Sequence, residues 1–187
     1  MSLSMQCFIK ALGDIVSQGG TEKEVTAKVA DRLAPMLSEP DLLPPDQMAM
    51  KDRGYAMYPV HVAEDGRFSI AAMVLDVGQV TPIHDHGTWG VIGIYKGAEH
   101  EERFLREESV PLDQPAQIQI LPSNDVVAGH VHICCTSDKD IHRVSCGTDE
   151  PCVGIHVYGA DIGTMQRHSY NLETGIAKSF VSGWDQA

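Results

Sequence analysis

The 187-residue sequence has little positive charge. It contains 14 Lys and Arg residues against 26 Asp and Glu, for a formal net charge of −12. Because nucleic-acid binding depends on the neutralisation of phosphates by Lys and Arg, the composition argues against nucleic acid as a partner.

The sequence also lacks a long apolar run. No stretch approaches the roughly 20 residues that a membrane-spanning helix needs, and the first residues do not follow the basic-then-apolar pattern of a signal peptide. We therefore expect a cytoplasmic protein without membrane contact. Because 43% of the residues are hydrophobic, the chain can bury a core, and we expect a single domain over residues 1–187.

A disulfide framework is absent as well. The five cysteines are odd in number and irregularly spaced, which predicts reduced thiols. One alternative is a structural zinc site made by Cys134, Cys135, His130 and His132. Adjacent cysteines on a strand point in opposite directions, so they make a poor chelating pair.

Two helices are predicted within residues 1–50, followed by a proline-containing connector. Apolar residues recur at helical intervals in the first stretch, which stops at Gly19-Gly20. Thr21 and Glu24 form a capping-box pattern at the start of the second helix.

Residues 51–187 have the composition of an antiparallel β-sandwich or barrel. Short β-branched or aromatic runs alternate with turn residues, and the turns at Gly66, Gly97 and Gly175 need positive φ. The predicted strands are Met57–Ala63, Phe68–Val77, Gly87–Tyr95, Glu99–Leu105, Ile118–Leu121, Ile141–Ser145, Val153–Tyr158 and Ile176–Val181.

Two of the nine histidines form the sequence His84-Asp85-His86. Residues i and i+2 of a strand face the same side, roughly 6 to 7 Å apart, so the two imidazoles can bind one metal while Asp85 points away. Taken alone, the pattern also fits two exposed histidines on one face of a strand.

The surroundings of these histidines favour a metal site. The spacing of Gly78, His84, His86, Gly90 and Gly97 resembles the first motif of the cupin family. Most cupins carry a metal-binding glutamate where this chain has Gly90.

A third ligand is predicted at His142. It follows the Pro-containing turn Leu121–Asp125, as the second cupin element requires. Three neutral imidazoles without a carboxylate leave a divalent metal with its full charge and with open positions. Such a site lowers the pKa of a bound thiol. It suits iron(II), although zinc, nickel or copper can occupy the same ligands.

Three segments carry a more specific resemblance: TPIHDHGTWGVIGIYKG, DIHRV and IHVYGADIG…RH…FVSGW. They resemble the cysteine dioxygenase family, most closely its bacterial 3-mercaptopropionate dioxygenase branch, over nearly the whole chain. The resemblance implies a mainly β fold, the cupin double-stranded β-helix (jelly-roll barrel) with two N-terminal α-helices. It also implies that His84, His86 and His142 bind a mononuclear iron, Fe(II). Animal-type members crosslink a cysteine near the Gly90 position to the active-site tyrosine, and here we expect no Cys–Tyr crosslink.

The resemblance further implies catalytic roles for His156 and Tyr158. The family has a Ser-x-His-x-Tyr run, and Gly154 replaces its serine here. Strand alternation places His156 and Tyr158 on one face, so His156 can orient the Tyr158 hydroxyl toward bound oxygen or thiolate. Water could replace the serine, or His156 could be tuned differently. Tyr158 is alternatively a core tyrosine with a satisfied hydroxyl.

Substrate choice is predicted to depend on Arg167. Cysteine dioxygenases hold the substrate carboxylate with an arginine before the metal motif, and residues 55–58 contain none. The mercaptopropionate branch has its arginine nine residues after the tyrosine, as Arg167 follows Tyr158. A guanidinium can hold a carboxylate through two hydrogen bonds. Its position alone would favour a solvated arginine.

Other candidates have structural interpretations. Arg143 is expected to form an ion pair on the opposite face from His142, and Trp89 is expected to pack against the barrel wall. No role is predicted for the remaining histidines, which are His61, His100, His130, His132 and His168.

The expected function is thus a thiol dioxygenase that oxidises a small thiol-carboxylate with O2 to the sulfinate. The preferred substrate is 3-mercaptopropionate, with cysteine second. Two alternatives remain open: a cupin of another class, such as a metal-dependent isomerase or a carbon-oxidising dioxygenase, and a non-catalytic module that binds a metal or small molecule. The expected partners are the thiol and O2, and the sequence leaves a homo-oligomer open.

Overall fold

A computed structural model describes residues 1–134, 136 and 140–186. Helix α1 spans Leu3–Gln18 and helix α2 spans Glu22–Leu33. The predicted capping box is present, since Thr21 and Glu24 each bond to the other's backbone N–H. Short 3-10 segments follow at Ala34–Ser38 and Pro45–Met48. No described helix is both long and apolar enough to cross a membrane.

The described part of the chain also contains eleven strands, and all of their pairings are antiparallel. They are β1 (Ala56–Val62), β2 (Ser69–Leu75), β3 (Gly90–Lys96), β4 (Ala98–Arg106), β5 (Ile118–Ile120), β6 (Asn124–Val127), β7 (Val131–Cys134), β8 (Ile141–Cys146), β9 (Cys152–Tyr158), β10 (Arg167–Tyr170) and β11 (Ala177–Phe180).

The strands form two main sheets and a ribbon. The first sheet has the order β1-β2-β9-β3-β7. In the second sheet, β4 pairs with β5, β6 and β8. Strands β10 and β11 form the ribbon.

The eight predicted strands overlap observed strands, and the mainly β class with two helices is confirmed. Three strands, β6, β7 and β10, were not predicted. The predicted turns at Gly66, Gly97 and Gly175 are confirmed by φ values of 68°, 70° and 70°.

The main hydrophobic core lies between the helices and one face of the first sheet. Ile155 and Val157 of β9 pack there against apolar side chains of α1 and α2. Gly93 of β3 lets the helices approach, because a Cβ at this position would lie 2.8 Å from Leu33 Cδ2 and 2.9 Å from Leu37 Cδ2. Alternation along β9 turns His156 and Tyr158 to the opposite face.

Candidate metal centre

His84 lies in an extended segment outside the named strands, rather than within a strand. Its backbone N–H donates to the His142 carbonyl at 2.8 Å, and the N–H of His142 donates back to the His84 carbonyl at 2.9 Å. On its other side His84 bridges to Ser169 of β10. The segment is therefore held between β8 and β10, which fixes His84 beside His142.

The structure brings the three predicted ligands together. One ring nitrogen from each of His84, His86 and His142 lies within 4.8 Å of the others. The ring centroids are separated by 5.1 Å, 4.8 Å and 4.8 Å. The exposed fractions are 8%, 1% and 5%. This is a nearly equilateral, buried cluster.

The second nitrogen of each ring is already occupied. His84 Nδ1 lies 2.9 Å from the Pro82 carbonyl oxygen. His86 Nδ1 lies 2.7 Å from Asp140 Oδ2, and His142 Nδ1 lies 2.7 Å from Glu101 Oε1. A carbonyl or a carboxylate can only accept, so each Nδ1 carries the proton and each Nε2 has a free lone pair. Outer hydrogen bonds of this kind orient metal-binding histidines.

Burial favours the neutral form of two of the three histidines. It lowers the pKa of both His84 and His86 well below the usual value, and the proximity of His142 lowers each further. Neutral imidazole is the form that binds a metal.

The outer carboxyl groups of the cluster differ in pKa. Burial raises the pKa of Asp140 to about 6. Burial is the largest single effect on the pKa of Glu101 and acts to raise it, but the hydrogen bond from His142 and the nearby charges of His142, His132 and Arg103 together outweigh burial, and the net shift is downward.

The donor set fits a divalent metal. His142 Nε2 is buried and has no hydrogen-bond partner among the described residues, as expected of a nitrogen reserved for a metal. Among the described residues, no carboxylate belongs to the cluster, because Glu101 and Asp140 contact the Nδ1 atoms instead. Three histidines leave coordination positions for other ligands. The geometry does not distinguish iron from zinc, nickel or copper.

The described residues give no support to the alternative zinc site. Cys135 lies outside the described residues. Among the described residues, His130, His132 and Cys134 join no metal-type cluster. His132 Nε2 instead lies 3.4 Å from Glu101 Oε2.

His156 and Tyr158 form a buried hydrogen-bonded chain with a residue that the sequence analysis missed. Tyr158 lies beside the metal cluster, with its ring centroid 5.2 Å from that of His86. Its hydroxyl is 3.0 Å from His156 Nδ1, and Glu99 Oε1 is 3.2 Å from His156 Nε2. Burial raises the pKa of Tyr158, so its hydroxyl stays protonated. Glu99 is thus the outer partner of His156, where the sequence left water or a different partner open.

Arg167 is buried with an exposed fraction of 4%. Its guanidinium donates to Ser182 Oγ at 2.5 Å and to the Asp85 carbonyl oxygen at 3.5 Å, and it stacks on Phe180 at 4.8 Å. Among the described residues, Arg167 Nε has no hydrogen-bond partner, and no acidic side chain lies within ion-pair distance of the guanidinium. Arg167 is therefore not the solvated arginine that its sequence position alone would favour. Its charge lies next to the backbone of Asp85, the residue between His84 and His86.

Apolar residues surround Tyr158 on the side of β1. Met57, Ala71 and Ile162 pack against it. A Cβ at Gly90 would lie 3.3 Å from Cys134 Sγ and 3.4 Å from Tyr158 Cε1. A thiol of β7 therefore lies near the tyrosine, which strand prediction could not anticipate because β7 was not predicted.

The structural interpretations of other residues hold. Arg143 pairs with Glu102, and its Nη2 donates to Glu102 Oε1 at 2.8 Å. Trp89 packs against the main core. His100 Nδ1 lies 2.6 Å from Asp125 Oδ1, and His168 Nδ1 lies 3.1 Å from Asp85 Oδ2.

A cavity of about 540 Å³ lies behind the cluster, but none of the three histidines lines it. Asp85, Asp140 and Tyr170 form part of its wall. Arg106, which also lines it, donates to five backbone carbonyls and so serves the loop structure. We do not assign this cavity to substrate.

Comparison with known proteins adds distant likenesses. No family model matches the chain. Structural neighbours include an uncharacterised conserved protein with a double-stranded β-helix domain from Klebsiella pneumoniae (13% identity, 66% of this chain, 92% of that chain, TM-score 0.47). A Cupin 2 conserved barrel domain protein from Salinispora arenicola has 14% identity over 65% of this chain and 89% of that chain, with a TM-score of 0.43.

Oxalate decarboxylase of Bacillus subtilis, in a mutant form, is a further neighbour. It has 16% identity over 60% of this chain and 27% of that chain, with a TM-score of 0.43. The first two neighbours are described as a double-stranded β-helix protein and a cupin protein, and the third is an enzyme. All three TM-scores are low, and the inference of a metal site rests on the geometry of the three histidines.

Proposed function

We propose that this chain is a non-haem iron(II) thiol dioxygenase that converts a small thiol-carboxylate to its sulfinate with O2. One observation carries the proposal: three convergent histidine Nε2 atoms lie beside a buried arginine that has no acidic partner among the described residues. The first feature suits a metal that binds a thiolate and O2, and the second suits an anionic group on the same small molecule.

Arg167 would hold the substrate carboxylate. A guanidinium has five N–H donors, and two of them are engaged by Ser182 and the Asp85 carbonyl. Three donors, including Nε, are available to a carboxylate. Stacking on Phe180 fixes the plane of the guanidinium, so binding would cost little side-chain entropy.

His84, His86 and His142 would hold the metal through Nε2. Iron(II), when bound, would supply the electron transfer that activates O2 and would lower the pKa of the substrate thiol. The protein would contribute position, since the carboxylate on Arg167 would direct the thiol toward the histidines. His156 would orient the hydroxyl of Tyr158, which can hydrogen-bond to the reacting sulfur or oxygen.

The residues around the site favour 3-mercaptopropionate over cysteine. The β1 stretch that carries the arginine of cysteine dioxygenases presents Met57 to Tyr158 here. Arg167 from β10 is the buried cation beside the cluster, as the mercaptopropionate branch would have it.

An aerobic assay tests the proposal. The iron-loaded protein is supplied in turn with 3-mercaptopropionate, cysteine and cysteamine, while O2 uptake and product mass are followed. We expect a gain of two oxygen atoms on 3-mercaptopropionate, a smaller yield with cysteine and the least with cysteamine, which lacks a carboxylate. His142→Ala should lose iron and O2 uptake together.

Two outcomes would replace the proposal. O2 uptake or turnover with non-thiol substrates alone would indicate a cupin of another class. Tight thiol binding without O2 uptake would indicate a binding module. Glu99 gives His156 an outer partner, so the presence of Gly154 in place of the family serine does not favour a binding module.

A further inference from the structure

We propose that Glu99 is a positioning residue that fixes the protonation pattern of His156 and, through it, the direction of the Tyr158 hydroxyl. Resting on the proposed function, this inference assigns a role to a side chain outside the metal ligands. Glu99, His156 and Tyr158 are each at most 4% exposed, so water competes little for their hydrogen bonds.

The chemistry of the outer partner sets the tautomer. An ionised carboxylate only accepts, so His156 Nε2, at 3.2 Å from Glu99 Oε1, must carry a hydrogen. In the neutral imidazole Nδ1 is then an acceptor, and the Tyr158 hydroxyl, 3.0 Å away, donates to it. A serine in the same place could donate or accept and would leave both tautomers open.

The tautomer of His156 determines which hydrogen bond the Tyr158 oxygen can make toward the metal cluster. Because its proton is directed to His156, the phenol oxygen presents lone pairs toward the cluster. It would accept a hydrogen bond from the arriving substrate thiol, before metal binding removes the proton of that thiol.

Gly154 is what makes room for Glu99. A Cβ at position 154 would lie 2.5 Å from His156 Nε2 and 2.6 Å from Glu99 Oε1. At these separations, no side chain at position 154 could coexist with the contact between Glu99 and His156. Gly154 and Glu99 therefore form a matched pair, and either one replaced alone disturbs His156.

Nitrogen NMR tests the inference directly. The full-length chain is labelled with ¹⁵N-histidine and loaded with zinc(II), which is diamagnetic and accepts imidazole ligands. His156 is assigned by the signals lost in His156→Gln. We expect wild-type His156 as the Nε2–H tautomer and Glu99→Ala as an Nδ1–H or mixed form. Glu102→Gln, on the same strand with its carboxylate on Arg143, should match wild type.

A reciprocal pair of variants guards against a folding artefact. Gly154→Ser alone should perturb His156, because the new Cβ would overlap both His156 Nε2 and the Glu99 carboxylate. In combination with Glu99→Ala, the imidazole can move away from that Cβ into the space that the carboxylate leaves, so the double variant should show a single ordered His156 environment. In the iron-loaded protein, Glu99→Ala should lower kcat at least about tenfold with little change in metal content.

The two proposals fail differently. An Nδ1–H tautomer in wild type, or a His156 spectrum that ignores Glu99→Ala, overturns the role of Glu99 whatever the enzyme does. Absence of thiol turnover overturns the dioxygenase and leaves the tautomer result standing.

Discussion

Arg167 is the residue whose replacement should weaken the binding of a thiol-carboxylate most selectively. Replacing it by Gln removes a charge-assisted contact worth about 1.5 to 3 kcal/mol. We expect KM for 3-mercaptopropionate to rise about 10- to 100-fold, since these energies correspond to such factors. Cysteamine has no carboxylate, so its turnover should be unchanged. Steady-state O2 uptake with both thiols measures the difference.

Arg143→Gln is the matched control for that experiment. Arg143 directly follows a predicted ligand, but its guanidinium pairs with Glu102. The Arg143→Gln variant should leave KM for both thiols unchanged. An equal loss with cysteamine in Arg167→Gln would mean that Arg167 supports the fold of the site and does not bind a carboxylate.

Glu101 carries a second residue-scale prediction. Its carboxylate accepts the Nδ1–H of His142 at 2.7 Å. Loss of such an outer contact typically lowers metal affinity about 10- to 100-fold. We expect Glu101→Gln to weaken zinc(II) or iron(II) binding by that factor in a competition titration with a chromophoric chelator, whereas Glu102→Gln does not. Equal affinities would show that Glu101 does not orient His142.

The three predicted ligands could be read from the sequence, but their outer partners could not. His84, His86 and His142 have distinctive spacing. Glu99 and Glu101 lie two residues apart on β4 and are buried at 4% and 5% exposed. In the sequence they belong to an acidic run that resembles a solvated strand face. Only the pairing of β4 with β8 and the packing of β9 show why two carboxylates lie inside.

At the scale of the elements, β9 explains how a small chain combines a core with a site. All seven of its residues are buried, because the helices cover one face and the site occupies the other. Alternation assigns Ile155 and Val157 to the helices and leaves His156 and Tyr158 for chemistry. The position of the helices is thereby coupled to the position of the tyrosine.

Gly93 tests that coupling. Gly93→Val adds a branched side chain where even a Cβ would lie 2.8 Å from Leu33 Cδ2. Overpacking of this kind costs about 1 to 3 kcal/mol, and we expect that loss in the free energy of unfolding by urea. Gly13→Ala, in α1 with its nearest neighbour 4.0 Å away, should instead stabilise by up to about 1 kcal/mol. An unchanged free energy of unfolding in Gly93→Val would show that the helices pack more loosely than the geometry implies.

The strands that escaped prediction share a physical cause. β6, β7 and β10 each have four residues, and no branched apolar residue flanks them in the sequence. The short strands β5 and β11 were predicted because Leu121 follows β5 and because Ile176 and Val181 flank β11. β10, with the sequence RHSY, is polar because it borders the site. Its register against β11 and the bridge from His84 to Ser169 hold it in place. Such tertiary contacts leave no local signal in the sequence.

Over the whole molecule, a negative net charge coexists with a buried cation, Arg167, beside the predicted metal ligands. The chain has a formal net charge of −12, yet the site combines a buried arginine with three histidines whose ring nitrogens can bind a metal cation. The carboxyl groups of Glu99, Glu101 and Asp140 contact, in that order, the rings of His156, His142 and His86. Burial of this charge set links stability to pH.

The stability of the metal-free protein should fall as the pH is lowered from 8 toward about 6. Burial lowers the pKa of His84 and His86 well below 6.5 in the folded state. The unfolded chain therefore binds more protons as the pH falls through 6.5, which favours unfolding by up to about 1.4 kcal/mol per pH unit for each histidine. Asp140 acts in the opposite sense as the pH falls through its folded-state pKa of about 6, so it offsets part of the slope at the lower end of this pH range. Urea unfolding at several pH values measures the slope, and His100→Gln, at an exposed histidine, should preserve it. A metal-free protein equally stable at pH 8 and pH 6 would contradict the burial of neutral ligands.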